Sequence, residues 1–151
     1  MTLRRDSSQL SSFLFLCFFH SLLVAPSSAA PILQAINCST SGNYTSNDAY
    51  AANVNQLLAA LPKSVSESGG FFNGTVGLGP DTVYSLAMCP ADYSRADCSD
   101  CLTAAAASSA GGLRNSCPGS KTVLAMFDRC LVRYSDVNFF GTPEIGECSS
   151  L

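Results

Sequence analysis

Three closely spaced cysteines, Cys89, Cys98 and Cys101, constrain this chain more than any other feature of its sequence. Eight residues separate the first two, and two residues separate the last two. Behind a hydrophobic amino terminus, such spacing is typical of a disulfide framework in an exported protein. We therefore expect a small fold that is held together by cross-links.

The amino terminus predicts export. Arg4 and Arg5 provide a basic start, residues 13–24 are apolar, and residues 25–30 are rich in the small side chains that a signal peptidase accepts. The apolar stretch is shorter than an ordinary membrane span. The predicted parts of the chain are a signal peptide, a domain and a tail, at residues 1–29, 30–141 and 142–151. The mature chain is expected to be secreted and to have no membrane span.

Removal of the signal peptide changes the composition in ways that exclude several classes of function. Six basic and ten acidic side chains remain, so the mature net charge is −4, which argues against binding nucleic acid or an anionic membrane. His20 is the only histidine of the chain. Without it no imidazole remains for Ser-His or Cys-His catalysis or for a zinc site. We expect a protein that is not an enzyme and that has no cofactor or metal.

Cross-links should matter to the stability of this chain. At roughly 120 residues the mature part forms one domain with a small core, and each bridge contributes about 2–4 kcal/mol. Seven cysteines remain once Cys17 leaves with the signal peptide. Because seven is odd, at least one cysteine has no partner within the chain.

Two helices are predicted from apolar spacing and start signals. Apolar residues at i, i+3, i+4 and i+7 predict a helix at residues 48–61, which Pro62 ends. Ser94 and Asp97 resemble a capping box, and they predict a second helix at residues 95–114.

Residues rich in β-formers predict the strands. Two strands are expected at residues 71–79 and 82–88, around a turn. Residues 123–127 and 131–134 are predicted to be strand, and because they carry apolar side chains on both faces they are interpreted as parts of one long central strand. An edge strand is expected at residues 139–140.

The cysteines occupy informative places on this map. Cys98 and Cys101 share one face of the second helix, whereas Cys89 and Cys130 belong to strands. Two bridges from that face would join the helix to the sheet. A third pair would then tie the leading segment to the end of the second helix, namely Cys38 and Cys117. The residues alone do not choose among the pairings.

A set of motifs matches a known family. In chain order they are Cys38, Cys89-Pro90, Cys98 with Cys101, Cys117-Pro118, the run DRCLVRYS at residues 128–135, and Phe139-Phe140. With them, residues 36–140 resemble the ginkbilobin-homologous domain of plants, also called the salt-stress-response/antifungal domain. That domain is found in cysteine-rich repeat secretory proteins and cysteine-rich receptor-like kinases.

The resemblance implies both a fold and a cross-linking pattern. The fold is α+β, with two helices packed on an antiparallel sheet of about five strands and three disulfides. The implied bridges are Cys38–Cys117, Cys89–Cys98 and Cys101–Cys130, with Cys148 left outside the framework. The resemblance also implies an extracellular location in the plant apoplast.

The resemblance further implies a sugar site in the founding antifungal member, where an Asn, an Arg and a Glu bind mannose. Counted from the cysteines, the matching positions here are Ser39, Leu124 and Ser135. None of the three ligand residues is retained. Losing the charge-assisted contacts of Arg and Glu removes about 1.5–3 kcal/mol each, so we expect the fold to be shared but not the mannose site.

Two motifs invite a chemical interpretation that a structural one outweighs. The segment Cys98-Ser99-Asp100-Cys101 is interpreted as part of the disulfide framework rather than as a redox or zinc site. Five aspartates that could supply a carboxylate pair for glycoside hydrolysis are interpreted as solvated caps and turns. They are Asp92, Asp97, Asp100, Asp128 and Asp136.

Three sequons predict a glycoprotein. They begin at Asn37, Asn43 and Asn73. We expect Asn43 to be used most readily, Asn73 less so, and Asn37 poorly because the next residue is a bridge cysteine.

The function predicted from these observations is a secreted, non-enzymatic binding or interaction module in plant stress or defence. Its partner would be an extracellular glycan or protein. The alternatives are an antifungal lectin, which would be carbohydrate-binding through mannose, a truncated ectodomain of a tandem-domain secretory protein or receptor-like kinase, and a hydrolase. Cys148 is interpreted as the stub of such a longer protein, as the link of a disulfide-bonded dimer, or as a free thiol.

Overall fold

The computed structural model describes residues 29–39 and 42–142. Within them, one five-stranded antiparallel sheet carries two long helices on a single side, so the predicted α+β fold is confirmed. A short third helix was not predicted. The elements are β1 (Leu33–Cys38), α1 (Ala49–Glu67), β2 (Phe71–Val76), β3 (Val83–Met88), α2 (Arg95–Ala106), α3 (Leu113–Ser116), β4 (Val123–Phe127) and β5 (Leu131–Ser135).

The strands lie in the order β1-β4-β5-β3-β2, and every neighbouring pair is antiparallel. Alternate residues of β3, β4 and β5 point towards the helices and are buried, as a strand's period of two requires. The stripe of α1 that begins at Val54 packs on them. The core therefore lies between one face of the sheet and the helices.

Helix α1 corrects the predicted end at residue 61. It continues through Pro62 to Glu67, although proline donates no backbone hydrogen bond and usually ends or kinks a helix. Leu61 and Val65 are both buried on either side of the proline. The apolar contacts that they make with the core outweigh the local penalty, because packing supplies most helical stability in proteins.

Helix α2 starts as predicted but ends earlier. The Ser94 Oγ accepts from the backbone N–H of Asp97 at 3.1 Å, so the predicted capping interaction is present. The helix stops at Ala106 rather than at residue 114. Gly112 must approach the Ala107 carbonyl so closely that a Cβ would lie 2.0 Å from its oxygen, and Arg114 donates back to the Ala106 carbonyl at 2.9 Å.

The segments predicted as strand at residues 123–127 and 131–134 are β4 and β5, but they are two strands of a hairpin and not one long central strand. The chain reverses at Asp128 and Arg129, and the Phe127 N–H donates to the Cys130 carbonyl at 2.8 Å. Asp128 also closes the start of the fold, since its carboxylate accepts from the Ile32 N–H at 2.9 Å. The predicted edge strand at residues 139–140 is absent, and these two residues form no strand.

Three disulfides join the elements, and they are the pairs that the family resemblance implies. Cys38–Cys117 links the end of β1 to the residue after α3, Cys89–Cys98 links the residue after β3 to α2, and Cys101–Cys130 links α2 to the residue before β5. Their Cα–Cα distances are 5.6, 5.7 and 6.0 Å, which are usual for disulfides. Most of the predicted signal peptide and nearly all of the tail, Cys148 included, lie outside the described residues.

Loop length predicts how much each bridge stabilises the fold. The bridges close separations of 79, 29 and 9 residues, for which chain entropy gives about 4–5, about 3–4 and about 2–3 kcal/mol. Paired cysteine-to-serine changes should therefore lower the free energy of unfolding most for Cys38–Cys117 and least for Cys89–Cys98. Urea unfolding of the three double variants measures this order, and a largest loss at Cys89–Cys98 would contradict it.

Candidate functional site

The candidate site is the outer face of the sheet, which is the side turned away from α1 and α2. Strand register brings one side chain from each strand into a straight line across this face. All of them are apolar, and we call this line the apolar row. Its members, in order across the sheet, are Phe71, Met88, Leu131, Met126 and Ala35.

The apolar row is partly open to solvent. Phe71, Met88 and Met126 are 47%, 41% and 39% exposed. Large exposed side chains that stand singly are normal on proteins, but adjacent ones form a patch that usually marks an interaction site. The apolar row thus presents exposed apolar surface from the edge strand β2, through β3 and β5, to β4.

A second line of side chains runs parallel to the apolar row. Arg133 lies at its centre, between Leu86 and Leu124, with Asn73 and Asn37 at the two edges. Arg133 is the only charged side chain in the five strands. Its guanidinium carbon lies 3.9 Å from the centre of the Phe139 ring, a cation–π contact that attracts the side chain to that ring.

Phe139 and Phe140 cover the part of the face beyond this second line. Their rings are 5.1 Å apart, and Phe140 meets Tyr84 edge-on at 5.9 Å. Phe139 itself is only 7% exposed. The two residues predicted as an edge strand therefore act as an aromatic cover, and they leave the apolar row as the open part of the face.

The structure brings the three family sugar positions together near one end of the outer face. Ser39 and Ser135 both contact Thr122, through a backbone hydrogen bond of 2.9 Å and a hydroxyl contact of 2.9 Å. Leu124 lies two residues after Thr122, in β4, and is half-buried. Ser135 is buried, and its Oγ accepts from the Val137 N–H at 3.1 Å.

A cavity of about 240 Å³ adjoins Ser39. Its lining offers hydroxyls, an amide and a disulfide but no ionised side chain, whereas tight recognition of a small polar ligand relies on charge-assisted hydrogen bonds. The lining residues are Cys38, Ser39, Asn43, Ser116, Cys117, Pro118 and Ser120. The chemistry for mannose that the family resemblance implies is thus missing from both the positions and the cavity beside them.

Two of the five candidate carboxylates lie near each other, and both form ion pairs with the same buried arginine. Arg129 is 7% exposed, and its guanidinium lies 3.6 Å from an Asp97 oxygen and 3.3 Å from an Asp128 oxygen. It also donates to the Ala29 carbonyl. A general acid needs a raised pKa, but the Ser94 hydroxyl, which donates to Asp97 at 2.6 Å, lowers the pKa of that carboxyl.

The described residues contain no group of three or more His, Cys, Asp or Glu side chains that could hold a metal ion. Cys98 and Cys101 are each committed to a disulfide. Over the same residues, no helix has the length and apolar character to cross a membrane.

Sequence reasoning missed the apolar row. The apolar residues on both faces of β4 and β5 were the available signal, and they were interpreted as full burial in a central strand. Only the register of all five strands, which depends on contacts between distant parts of the chain, shows that five such residues share one line.

Comparisons with known proteins agree with this fold. A family model described as salt stress response/antifungal matches residues 37–137. Cysteine-rich repeat secretory protein 8 of Arabidopsis thaliana is 36% identical over 133 residues, which cover 88% of this chain and 45% of that protein. Cysteine-rich receptor-like protein kinase 10 of rice (Oryza sativa subsp. japonica) is 37% identical over 81% of this chain but only 18% of the kinase.

Solved structures give the same result. The tandem DUF26 ectodomain of the Arabidopsis thaliana cysteine-rich receptor-like protein PDLP8 matches with a TM-score of 0.66 and 26% identity, over 74% of this chain and 52% of that one. The corresponding PDLP5 ectodomain matches with a TM-score of 0.62 and 28% identity. The chain thus spans about half of these ectodomains and less than half of the secretory relatives. The relatives are named as secretory proteins and ectodomains, and the predicted extracellular location is confirmed.

The contact between Ser94 and Asp97 predicts a pH-dependent contribution to stability. Because the pKa of Asp97 is lower in the folded protein than its ordinary value of 3.8, the contact stabilises the fold above that value. The stabilisation is lost as the pH falls through the folded pKa. In Ser94→Ala the pKa of Asp97 should rise towards 3.8, while Ser94→Thr keeps a hydroxyl and should keep the pKa low. Carbon-13 NMR titration of the carboxyl measures both, and an unchanged pKa in Ser94→Ala would contradict the assignment.

Proposed function

Because the chain belongs to the salt stress response/antifungal family, we propose that it is a secreted, non-enzymatic module that binds a protein partner outside the plant cell during stress or defence. The outer face of the sheet is the observation that carries this proposal. It combines an open apolar row with family sugar positions that hold Ser39, Leu124 and Ser135. The partner would contact this face.

The chemistry of the outer face suits a protein better than a sugar. Protein interfaces have an apolar centre that excludes water, with polar groups at the rim. The face has this composition, with the apolar row beside a line edged by Asn73 and Asn37. Leu124 adds an apolar side chain where the mannose-binding relative has an arginine, so the substitution removes a sugar contact and extends the apolar area.

The absence of an enzymatic function is part of the proposal. Among the described carboxylates, Asp97 and Asp128 pair with Arg129, and Asp128 also holds the segment before β1 to the β4–β5 turn through the Ile32 N–H. The lowered pKa of Asp97 does not suit a proton donor near neutral pH. These observations support a binding role.

A second candidate is one half of a tandem ectodomain. Its support is the coverage, since the chain matches 52% of the PDLP8 tandem ectodomain and 45% of secretory protein 8. In that setting Cys148 would belong to a longer protein. Alternatively, Cys148 would link two chains, and a covalent dimer on a non-reducing gel that disappears in Cys148→Ser would support that link.

Glycosylation is proposed at Asn43 and Asn73. Both side chains are exposed, Asn43 in a loop and Asn73 on β2 at the edge of the sheet. We expect two mass decreases when the secreted protein is treated with a peptide N-glycosidase, one of which disappears in Asn43→Gln and the other in Asn73→Gln. No change in mass on treatment would contradict the proposal.

Restoring the family ligand set tests the proposed function. The secreted chain should not bind a fungal mannan on a glycan array, because the charge-assisted contacts of Arg and Glu are missing. The variant Ser39→Asn, Leu124→Arg, Ser135→Glu should gain weak, saturable binding that free mannose competes away. The matched control, Ser39→Ala, Leu124→Met, Ser135→Ala, should gain none.

The unmodified chain decides the outcome of this test. Saturable mannan binding by it, from correctly bridged protein, would overturn the protein-partner proposal and favour the antifungal lectin.

A further inference from the structure

We propose that the apolar row is the contact surface of a symmetric dimer, in which two copies of this chain pack their outer faces together. This inference rests on the proposed interaction function and names the partner as a second copy of the chain. The sheet would then be buried on both sides, by the helices on one face and by the other copy on the second.

The distribution of exposed apolar side chains is the first argument. The described residues include seven large hydrophobic side chains that are exposed. Three of the seven, Phe71, Met88 and Met126, belong to the apolar row. Leu131 and Ala35 complete the line, which extends about 19 Å across five strands at the usual strand spacing. Such concentration on one line favours a sheet-to-sheet contact, because flat faces with interdigitating side chains pack in that way.

The small number of charged side chains on the strands also favours contact between two copies. A symmetric dimer brings identical surfaces together, so any charge on the face meets its own kind. The five strands contain one charged side chain, Arg133, which lies against the Phe139 ring. The eight acidic residues within residues 29–39 and 42–142 all lie outside the strands. Two copies that meet on this face therefore bring no carboxylate of a strand against another, and the Arg133 of each copy lies against its own Phe139 ring.

The solved relatives supply the third argument, which selects the occupant. The PDLP8 and PDLP5 structures are tandem ectodomains, and this chain matches about half of each. Their other half is a second domain of the same kind, according to their description as tandem DUF26 ectodomains. A second copy of this chain offers the same fold and a similar surface, whereas nothing in the structure favours an unrelated protein on this face.

The area of the face sets the expected strength. Five strands of five or six residues present about 24 Å by about 18 Å, or about 430 Å² of flat area per copy. The two copies together would bury about 860 Å², which is less than a stable specific interface buries and is typical of a weak, transient contact. We therefore expect a reversible dimer with a dissociation constant on the order of micromolar rather than nanomolar.

Asn73 bears directly on this contact. It stands on β2 at the edge of the outer face, two residues from Phe71 and on the same side of the strand. A glycan at Asn73 would compete with a second copy for the same space. Dimerisation is therefore expected to be stronger in Asn73→Gln than in the glycosylated chain.

Sedimentation velocity of the secreted chain tests the proposal. Cys148→Ser removes covalent linkage and Asn73→Gln removes the glycan, so that only the face can drive association. This protein should shift from monomer to dimer between about 1 and about 300 µM. Met126→Arg in the same background should weaken the dimer by about tenfold or more, since it places a charge in the contact. Leu78→Arg is the matched control, because Leu78 is 89% exposed in the β2–β3 connection, and it should leave the dimer unchanged.

Each outcome decides the proposal. Disulfide mapping and near-ultraviolet circular dichroism first establish that Met126→Arg is folded, and Phe71→Ser serves as a second face variant if it is not. A background protein that stays monomeric at the highest concentration overturns the dimer, as does a dimer that neither face variant weakens. Neither result touches the proposed interaction function, which mannan binding by the unmodified chain would overturn instead.

Discussion

The attachment of α2 to the sheet through two disulfides is the constraint on which the rest of the structure depends. The buried side chains of α2 are small apart from Leu102, and two of them are the bridge cysteines Cys98 and Cys101. Such a helix buries little apolar area, so its covalent links to Cys89 and Cys130 hold it in place. Because both long helices are fixed on one side, the other side of the sheet is left open.

The sequence was sufficient for features that depend on near neighbours. The start of α2 followed from Ser94 and Asp97, whose contact is local, and the buried stripe of α1 followed from its spacing. The sequence was insufficient for the ends of the helices, which depend on contacts with residues elsewhere in the fold. Pro62 does not end α1, because the core holds the residues on both sides of it, and the end of α2 depends on the return of Arg114 to Ala106. Local propensity carries no information on either contact.

The candidate site likewise has one part that the sequence located and one part that it did not. Counting from the cysteines located Ser39, Leu124 and Ser135, and the fold does bring them to one end of the outer face. The apolar row could not be located by counting, because a shift of one residue in any strand would move its side chain to the opposite face. The hairpin between β4 and β5, interpreted from sequence as one strand, is what places Met126 beside Leu131. The apolar row could therefore be predicted only if the turn at Asp128 were predicted first.

The two edges of the sheet explain how one face can serve two states. Asn37 and Asn73 stand at opposite ends of the same line, on the edge strands β1 and β2. Edge strands expose unpaired backbone groups that invite uncontrolled pairing, and bulky polar groups protect them. A glycan at Asn73 would protect its edge and at the same time cover Phe71, whereas the helix side of the sheet would be unaffected. Under the proposals made above, occupancy of that single sequon would separate an open face that accepts a partner from a shielded one, without any change in the cross-linked core.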